Sequence, residues 1–213
     1  MYLDTIGLVT VGIGNLIDPM SAAVSLPFQF KVNNKAGKPD GQLATPAEIA
    51  AEWTHLKHHP KFEHLKNAGH RACSSETNLE LSPENLMALF NQKTASNEAY
   101  LTKTFKDFAQ WPADAQLALM SMSWAMGPAF HNGWPAFRMA CLKKDFDTAA
   151  DNCNMRPGRK GDLSVLHRNA ADKAMFRNAA CVLRNADFYS PVRFYWPTIL
   201  FDALVIPAAS KGP

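Results

Sequence analysis

The sequence predicts an α+β fold that is mostly helical, with one small β-hairpin at the amino-terminal end. Residues 2–17 are rich in β-branched side chains and interrupted by glycines, which is typical of short strands joined by tight turns. Two helix-start signals that contain proline follow, and the spacing of apolar residues is then helical as far as residue 184. Helix is therefore expected over most of the chain.

The first helix-start signal lies at residues 45–48, where a threonine cap, a proline and a glutamate form the pattern of a capping box. We expect this helix to end near His59, because a proline follows. The flanking segments carry weaker patterns. Residues 18–44 are expected to be loop, and residues 60–80 to be polar and irregular.

A second cap-and-proline signal at Ser82 opens the helical part of the chain. Residues 113–126 are apolar on almost every side, which predicts a central buried helix that ends at Gly127. The other expected helices cover residues 97–110, 134–143, 145–153 and 164–184. The aromatic tail, Phe188–Phe201, is expected to pack back on the body, since its exposed side chains would otherwise form a large apolar patch.

The composition is that of an ordinary globular chain, with 47% hydrophobic and 19% charged residues among 213. No apolar run approaches the roughly 20 residues needed to cross a bilayer, so membrane insertion is not expected. The start of the sequence lacks the basic region and cleavage site of a signal peptide, so action outside the cytosol would need another delivery route. The four cysteines are expected to be buried or free thiols, with Cys141 and Cys153 the pair to check first.

Residues 156–177 hold six basic and two acidic side chains, a local surplus of +4 in a chain whose net charge is +3. Such a face suits an anionic polymer such as a bacterial cell wall. A solvated helix face is an equally good interpretation. Nucleic acid is not an expected partner, because no basic motif interleaved with aromatic residues is present.

The glycine-rich hairpin is the segment best suited to carry chemistry. It can hold the carboxylate of Asp4 and the hydroxyl of Thr10 rigidly at the edge of a cleft, while its glycines let a substrate approach. Cleavage of a glycosidic bond needs an acid for the leaving oxygen and a second carboxylate at the anomeric carbon. Asp4 is a candidate for the second carboxylate. By spacing alone, a turn aspartate and a strand threonine without catalytic roles are the commoner explanation.

Residues Tyr2–Asn15 resemble the signature hairpin of the phage-type lysozymes, glycoside hydrolase family 24, whose pattern is Y-x-D-x-x-G-x-x-T-x-G-x-G-H. Every fixed position matches except the last, where Asn15 replaces a histidine of mainly structural role in the family. Further segments resemble the family in the same order along the chain. They are 82–92, 118–127, 134–150 and the stretch from Arg168 to Arg177.

The resemblance implies a lysozyme-like two-lobed fold that forms a single domain over residues 1–213. Its front lobe would cover residues 1–81 and would hold the hairpin 2–17 and an inserted segment, 18–81, that is longer than usual in the family. Residues 82–213 would supply the connecting helix and a helical carboxy-terminal lobe.

The resemblance also implies hydrolysis of the β-1,4 bond between N-acetylmuramic acid and N-acetylglucosamine in peptidoglycan, without a cofactor or a metal. Asp4 would be the catalytic aspartate, and Thr10 would position the hydrolytic water. Leu16, Trp124 and Arg168 would line the saccharide cleft. The family's proton donor is a glutamate nine residues before the aspartate, which falls outside this sequence. We expect it in an upstream part of the natural polypeptide.

Three alternatives stay open. In the first, the protein is intrinsically short and is a weak enzyme or a non-catalytic binder of peptidoglycan. In the second, an intrinsically short protein recruits an acid from the inserted segment. That segment offers Glu48, Glu52, Glu63, Glu76 and Glu80. A zinc-dependent wall amidase is the third, because His55 and His59 are four residues apart and would share a helix face that suits zinc. Solvated surface histidines are the commoner explanation of that pair.

The enlarged front lobe, the missing signal peptide and the aromatic tail resemble lysozyme domains of antibacterial effectors and phage lysis proteins. This resemblance implies a monomer that acts at the periplasmic cell wall after delivery. An effector would also have an immunity protein as its partner.

Overall fold

The structure is a computed structural model that describes residues 1–156 and 164–201. It is α+β and mostly helical, with short antiparallel sheets, which confirms the predicted fold class. The chain divides into two compact units, Met1–Ala95 and Ser96–Pro213. The boundary between them falls inside a long helix that begins at Pro83 and ends at Thr104. Each unit is described by itself.

The first unit opens with a three-stranded antiparallel sheet, as the glycine-rich segment predicts. Strand β1 (Tyr2–Leu3) pairs with β2 (Val9–Val11), and β2 pairs with β3 (Asn15–Leu16). The register sets Thr10 opposite both Tyr2 and Leu16. Since paired residues project to the same face of a sheet, these side chains share one face.

The inserted segment contains more regular structure than predicted. Its elements in chain order are α1 (Met20–Val24), β4 (Gln29–Phe30), α2 (Pro46–Lys57), α3 (Phe62–Ala68), α4 (His70–Ser74) and β5 (Leu79–Glu80). The expectation of irregular chain over 60–80 was therefore wrong, whereas 18–44 is mostly loop as predicted and contains only α1 and β4. The short elements are held by packing and by pairing of β4 with β5, which lie far apart in sequence.

The capping box at the start of α2 forms as predicted. The backbone N–H of Glu48 donates to the Thr45 hydroxyl at 3.3 Å, and the Glu48 carboxylate accepts from the backbone N–H of Thr45 at 2.8 Å. One face of this helix buries Ile49 and Leu56 in the core of the first unit. The helix ends at Lys57, close to the predicted end.

The second unit is helical. The long helix α5 (Pro83–Thr104) leads into it and is followed by α6 (Ala113–Met126), α7 (Pro135–Leu142), α8 (Phe146–Asn152) and α9 (Ser164–Arg184). These bounds confirm the predicted helices except the one expected over 97–110. There α5 is continuous from Pro83 and ends at Thr104, and only a short 3-10 turn follows at Phe108–Gln110. Helix α6 packs against α9, and α8 packs against both α7 and α9.

Aromatic rings fill the core of the second unit. Phe137 meets Phe176 edge to face with 5.6 Å between ring centroids, and Trp111 meets Phe146 at 5.2 Å. Small residues of α6 and α9, including Ala115 and Ala179, are fully buried beside them. This arrangement explains why α6 is apolar on nearly every side.

The tail after α9 is attached through its backbone. The buried carboxylate of Asp114 accepts hydrogen bonds from the N–H groups of Tyr195 at 3.1 Å and Trp196 at 3.0 Å. Burial raises the pKa of Asp114, and these backbone donors partly offset the rise. Yet four aromatic side chains of the tail are exposed, so the prediction that they pack on the body was wrong for Phe188, Phe194, Trp196 and Phe201.

The cysteines follow the sequence-based expectation. Cys73, Cys141 and Cys153 are buried free thiols, and Cys181 is buried as well. Burial raises the pKa of Cys141 and, to about 12, that of Cys153, so both stay protonated at neutral pH. Within the part of the chain that the structure describes, no helix has both the length and the apolar character to cross a membrane.

Candidate functional site

Asp4 is held by the turn that joins β1 to β2. Its Oδ1 atom accepts hydrogen bonds from the backbone N–H groups of Ile6 at 3.0 Å and Leu8 at 2.8 Å. The turn needs a glycine at position 7, where φ is +85° and an added Cβ would lie 2.6 Å from Cζ of Phe62. None of the described residues donates a hydrogen bond to Oδ2 of Asp4. The backbone therefore orients the carboxylate and leaves one oxygen for a ligand.

Thr10 lies on β2, opposite Tyr2 of β1, and is only 4% exposed. Its hydroxyl donates to the carbonyl of Leu8 at 3.3 Å, so its lone pairs remain able to accept a hydrogen bond from water. Its role in positioning water stays a prediction. Its neighbour Leu16 is 50% exposed. Tyr2, which pairs with Thr10 from β1, has a raised pKa because of its burial and then the charge of Asp4, and its phenol therefore stays neutral.

Helix α2 supports the hairpin through polar contacts. The ammonium group of Lys57 lies 2.6 Å from the carboxylate of Asp18 and donates to the carbonyl of Gly7 at 2.9 Å. Asp18 also accepts from the N–H of Val9 at 3.2 Å, and the indole N–H of Trp53 donates to the Ile17 carbonyl at 3.1 Å. The inserted segment thus fixes the turn that orients Asp4. No local sequence pattern predicts these contacts, because the residues that make them lie far apart in the chain.

Asn15 is the hairpin residue that departs from the lysozyme pattern. Its side chain is buried, at 4% exposure, and neither its amide oxygen nor its nitrogen has a hydrogen-bond partner among the described residues. An unpaired buried amide is destabilising. Close by, Gly12 has φ +59°, and an added Cβ would lie 2.9 Å from Cδ2 of Leu86.

Among the five glutamates considered as recruited acids, Glu52 and Glu48 accept backbone hydrogen bonds that give each a structural role. Glu52 is buried and accepts from the backbone N–H groups of Asn78 at 2.6 Å and Leu79 at 3.1 Å. Its burial raises the pKa of its carboxyl group, and those donors partly offset the rise. Glu48 completes the capping box of α2. The structure therefore explains both side chains without a catalytic role.

The second unit holds Trp124 and Arg168. Trp124 is half-buried on α6, and Arg168 donates from one guanidinium nitrogen to the Ser121 carbonyl at 3.1 Å and hydroxyl at 3.2 Å. One turn further along α9, Asp172 is fully buried. Burial raises the pKa of Asp172 to about 6, although the Ser121 hydroxyl and the Arg168 charge oppose the rise. Ser121 and Asp172, which were not predicted from sequence, lie with Arg168 in one polar cluster.

Most of the described basic residues on α9 are paired with acidic residues of α8. Arg177 binds Asp147 at 2.6 Å and Asp151 at 2.7 Å, and Lys173 lies 3.3 Å from Asp151. These pairs favour an ordinary charged helix surface over a binding face for an anionic polymer at these positions. The basic residues at 159 and 160 lie outside the described residues.

Each unit also has an open cavity. The one in the first unit has a volume of about 470 Å³ and is lined by side chains that include Glu48, Glu52, His55 and Glu76. The one in the second unit measures about 620 Å³, and its lining includes Trp134 and Arg156. Neither lining contains a residue predicted for the saccharide site.

The structure thus brings Asp4, Thr10 and Leu16 together in the sheet of the first unit, whereas Trp124 and Arg168 belong to helices of the second. Searches of protein-family models, curated proteins and solved structures found no match to this chain. The resemblance to lysozymes therefore depends only on the hairpin motif and on the order of the weaker segments.

Proposed function

We propose that this protein is a peptidoglycan hydrolase of the lysozyme type, which cleaves the β-1,4 bond between N-acetylmuramic acid and N-acetylglucosamine. The observation that carries the proposal is the geometry of Asp4 within the motif Tyr2–Asn15. Two backbone N–H groups hold one carboxylate oxygen, and the described residues leave the other without a donor. A catalytic carboxylate needs such fixed orientation, because preorganised charge needs little rearrangement in the transition state.

In the proposed reaction, Asp4 stabilises the positive charge that develops at the anomeric carbon, and Thr10 holds the attacking water. Leu16, Trp124 and Arg168 are the proposed saccharide-binding residues. The reaction also needs a group that protonates the leaving oxygen, a step that contributes roughly 10²–10⁴-fold to the rate. The family resemblance assigns this step to a glutamate nine residues before Asp4, a position outside this sequence.

The two-lobed lysozyme-like fold belongs to the same proposal. Three features support it: the small sheet lies in the first unit, the second unit is helical, and α5 runs across the boundary between them. Peptidoglycan as the partner, action at the periplasmic wall, a monomeric state and an immunity protein are further parts of the proposal.

A non-catalytic peptidoglycan-binding protein is the second candidate. The observation that favours it is the burial of Thr10, whose hydroxyl already donates to the Leu8 carbonyl. A water held by Thr10 would have to donate a hydrogen bond to the lone pairs of this hydroxyl, or else replace the Leu8 carbonyl as the hydroxyl's acceptor. Binding without cleavage separates this candidate from the hydrolase.

The test uses the natural full-length polypeptide, because the proposed proton donor lies outside this sequence, and compares it with its Asp4→Asn variant on purified peptidoglycan. An asparagine oxygen can still accept the hydrogen bonds from Ile6 and Leu8, so the variant keeps the turn but loses the charge. Asp40→Asn, at an exposed position in a turn, is the matched control. We expect Asp4→Asn to lower the release of soluble fragments by about 10²–10³-fold and Asp40→Asn to leave it unchanged.

Sedimentation with peptidoglycan supplies the second readout. If the wild type and Asp4→Asn both sediment with the polymer and neither releases fragments, the protein is a binder and the hydrolase proposal fails. Equal rates of release from wild type and Asp4→Asn would remove Asp4 from the catalytic mechanism.

A further inference from the structure

Two histidines and a glutamate lie together in the inserted segment. His55 is in the last turn of α2, His59 lies just beyond its end, and Glu76 lies between α4 and β5. The two imidazole rings meet edge to face with 4.9 Å between centroids. One nitrogen or oxygen from each of the three side chains lies within 4.8 Å of the others. None of the three side chains has a part in the proposed hydrolysis.

The distances approach those of a metal-binding site. Nε2 of His59 lies 3.6 Å from a carboxylate oxygen of Glu76. Around a tetrahedral zinc ion with bonds of about 2.0 Å, neighbouring ligand atoms lie roughly 3.3 Å apart. The side chain of His55 is exposed, so its ring can rotate toward the other two without a change in the core.

The surroundings favour a cation. The open cavity of the first unit is lined by His55 and Glu76, two of the three side chains, together with Glu48, Glu52 and Lys35. Lys35 is the cation nearest to Glu76, at 3.9 Å, and is too distant for a hydrogen bond. Its ammonium group instead donates to the carbonyl of Ser75 at 2.6 Å, a contact that it keeps if a metal ion binds Glu76.

We propose that His55, His59 and Glu76 bind one zinc ion, with water in the fourth position. Two imidazole nitrogens and one carboxylate oxygen are a ligand set that zinc accepts in sites with an open position. The ion links the carboxy-terminal end of α2 to the segment that precedes β5. It therefore stabilises the part of the first unit that contacts the hairpin.

Zinc binding would change one hydrogen bond at His59. In the structure, Nδ1 of His59 accepts from the backbone N–H of Lys61 at 3.0 Å. A neutral imidazole carries one proton, so a metal on Nε2 places that proton on Nδ1 and ends this contact. Lys61 is exposed, and water can accept its N–H. The exchange of this amide with solvent consequently reports on zinc at His59.

The experiment is a calorimetric titration of tag-free, chelator-treated protein with zinc chloride. We expect one zinc per chain, and at least about tenfold weaker binding in His55→Ala and Glu76→Gln. His58→Ala is the matched control, because His58 is the exposed neighbour of the proposed ligands and is not one of them. It should bind zinc like the wild type. Zinc should also raise the melting temperature of the wild type and of His58→Ala, but not that of Glu76→Gln.

Hydrogen exchange at Lys61 gives an independent readout, in which zinc should accelerate exchange of this amide in the wild type and not in Glu76→Gln. Absence of zinc binding by the wild type, or equal affinity in wild type, His55→Ala and Glu76→Gln, overturns the proposal. Asp4→Asn should bind zinc normally. The zinc-site proposal and the hydrolase proposal can therefore be refuted independently of each other.

Discussion

The contact between α2 and the hairpin predicts that Lys57→Met destabilises the protein. Lys57 and Asp18 are 21% and 14% exposed, and their charged groups lie 2.6 Å apart. The substitution keeps the aliphatic chain but leaves Asp18 without its countercharge and the Gly7 carbonyl without this donor. Hydrogen bonds to charged groups contribute about 1.5–3 kcal/mol each, and partial exposure weakens them. We expect a loss of about 2–3 kcal/mol in the free energy of unfolding.

Equilibrium unfolding in urea measures this loss, and the melting temperature should fall by roughly 5–10 °C for a chain of this size. A double-mutant cycle with Asp18→Asn should give a coupling energy of at least about 1 kcal/mol. Lys66→Met is the control, because its partner Glu63 is 75% exposed and the pair should contribute less than about 1 kcal/mol. The reasoning is refuted if Lys57→Met and Lys66→Met destabilise the protein equally.

Three further predictions follow from buried groups. Gly7→Ala should lower the melting temperature more than Gly37→Ala, because both glycines have positive φ but only an added Cβ at Gly7 would meet Phe62. Equal falls in melting temperature would contradict this contact. Asn15→Leu should stabilise it by about 1 kcal/mol in urea unfolding, because it removes an unpaired buried amide; a loss would show that the amide has a partner. Because the pKa of Asp172 is raised to about 6 in the folded protein, its protonated form stabilises the fold. This contribution to the free energy of unfolding is lost as pH rises from about 4 through 6. Asp172→Asn should flatten this decline, which amounts to about 3 kcal/mol, and an unchanged pH profile would contradict the assignment.

The elements predicted correctly from sequence are those with local signals. The three residue types of the capping box at residues 45–48 define the start of α2, and Gly127 marks the end of α6. The hairpin has glycines where its turns need positive φ. In each case, the information lies within a few residues of the structure that it determines.

The elements that were missed depend on contacts between distant residues. Strand β4 exists because it pairs with β5, and α3 and α4 contribute Leu65 and Cys73 to a core that no local pattern reveals. The tail was misjudged because its composition is apolar, whereas its attachment uses its own backbone and the carboxylate of Asp114.

The candidate site shows the same limit. The hairpin motif selected Asp4 and Thr10, and the structure supplied the donors that orient the carboxylate of Asp4. Lys57 and Asp18 could not be found from sequence, because they are neighbours only after α2 packs on the sheet. Likewise, the spacing of His55 and His59 suggested a zinc site, but only the fold brings Glu76 to them.

Under the proposed function, the carboxylate of Asp4 takes part in cleavage of the glycan. The most direct measurement is the rate at which new reducing ends of N-acetylmuramic acid form in purified peptidoglycan, compared between wild type and Asp4→Asn. We expect the wild type, as the full-length polypeptide, to form these ends, and the variant to form them about 10²–10³-fold more slowly while still binding the polymer. Equal rates in the two proteins, or no new reducing ends with the wild type, would contradict it.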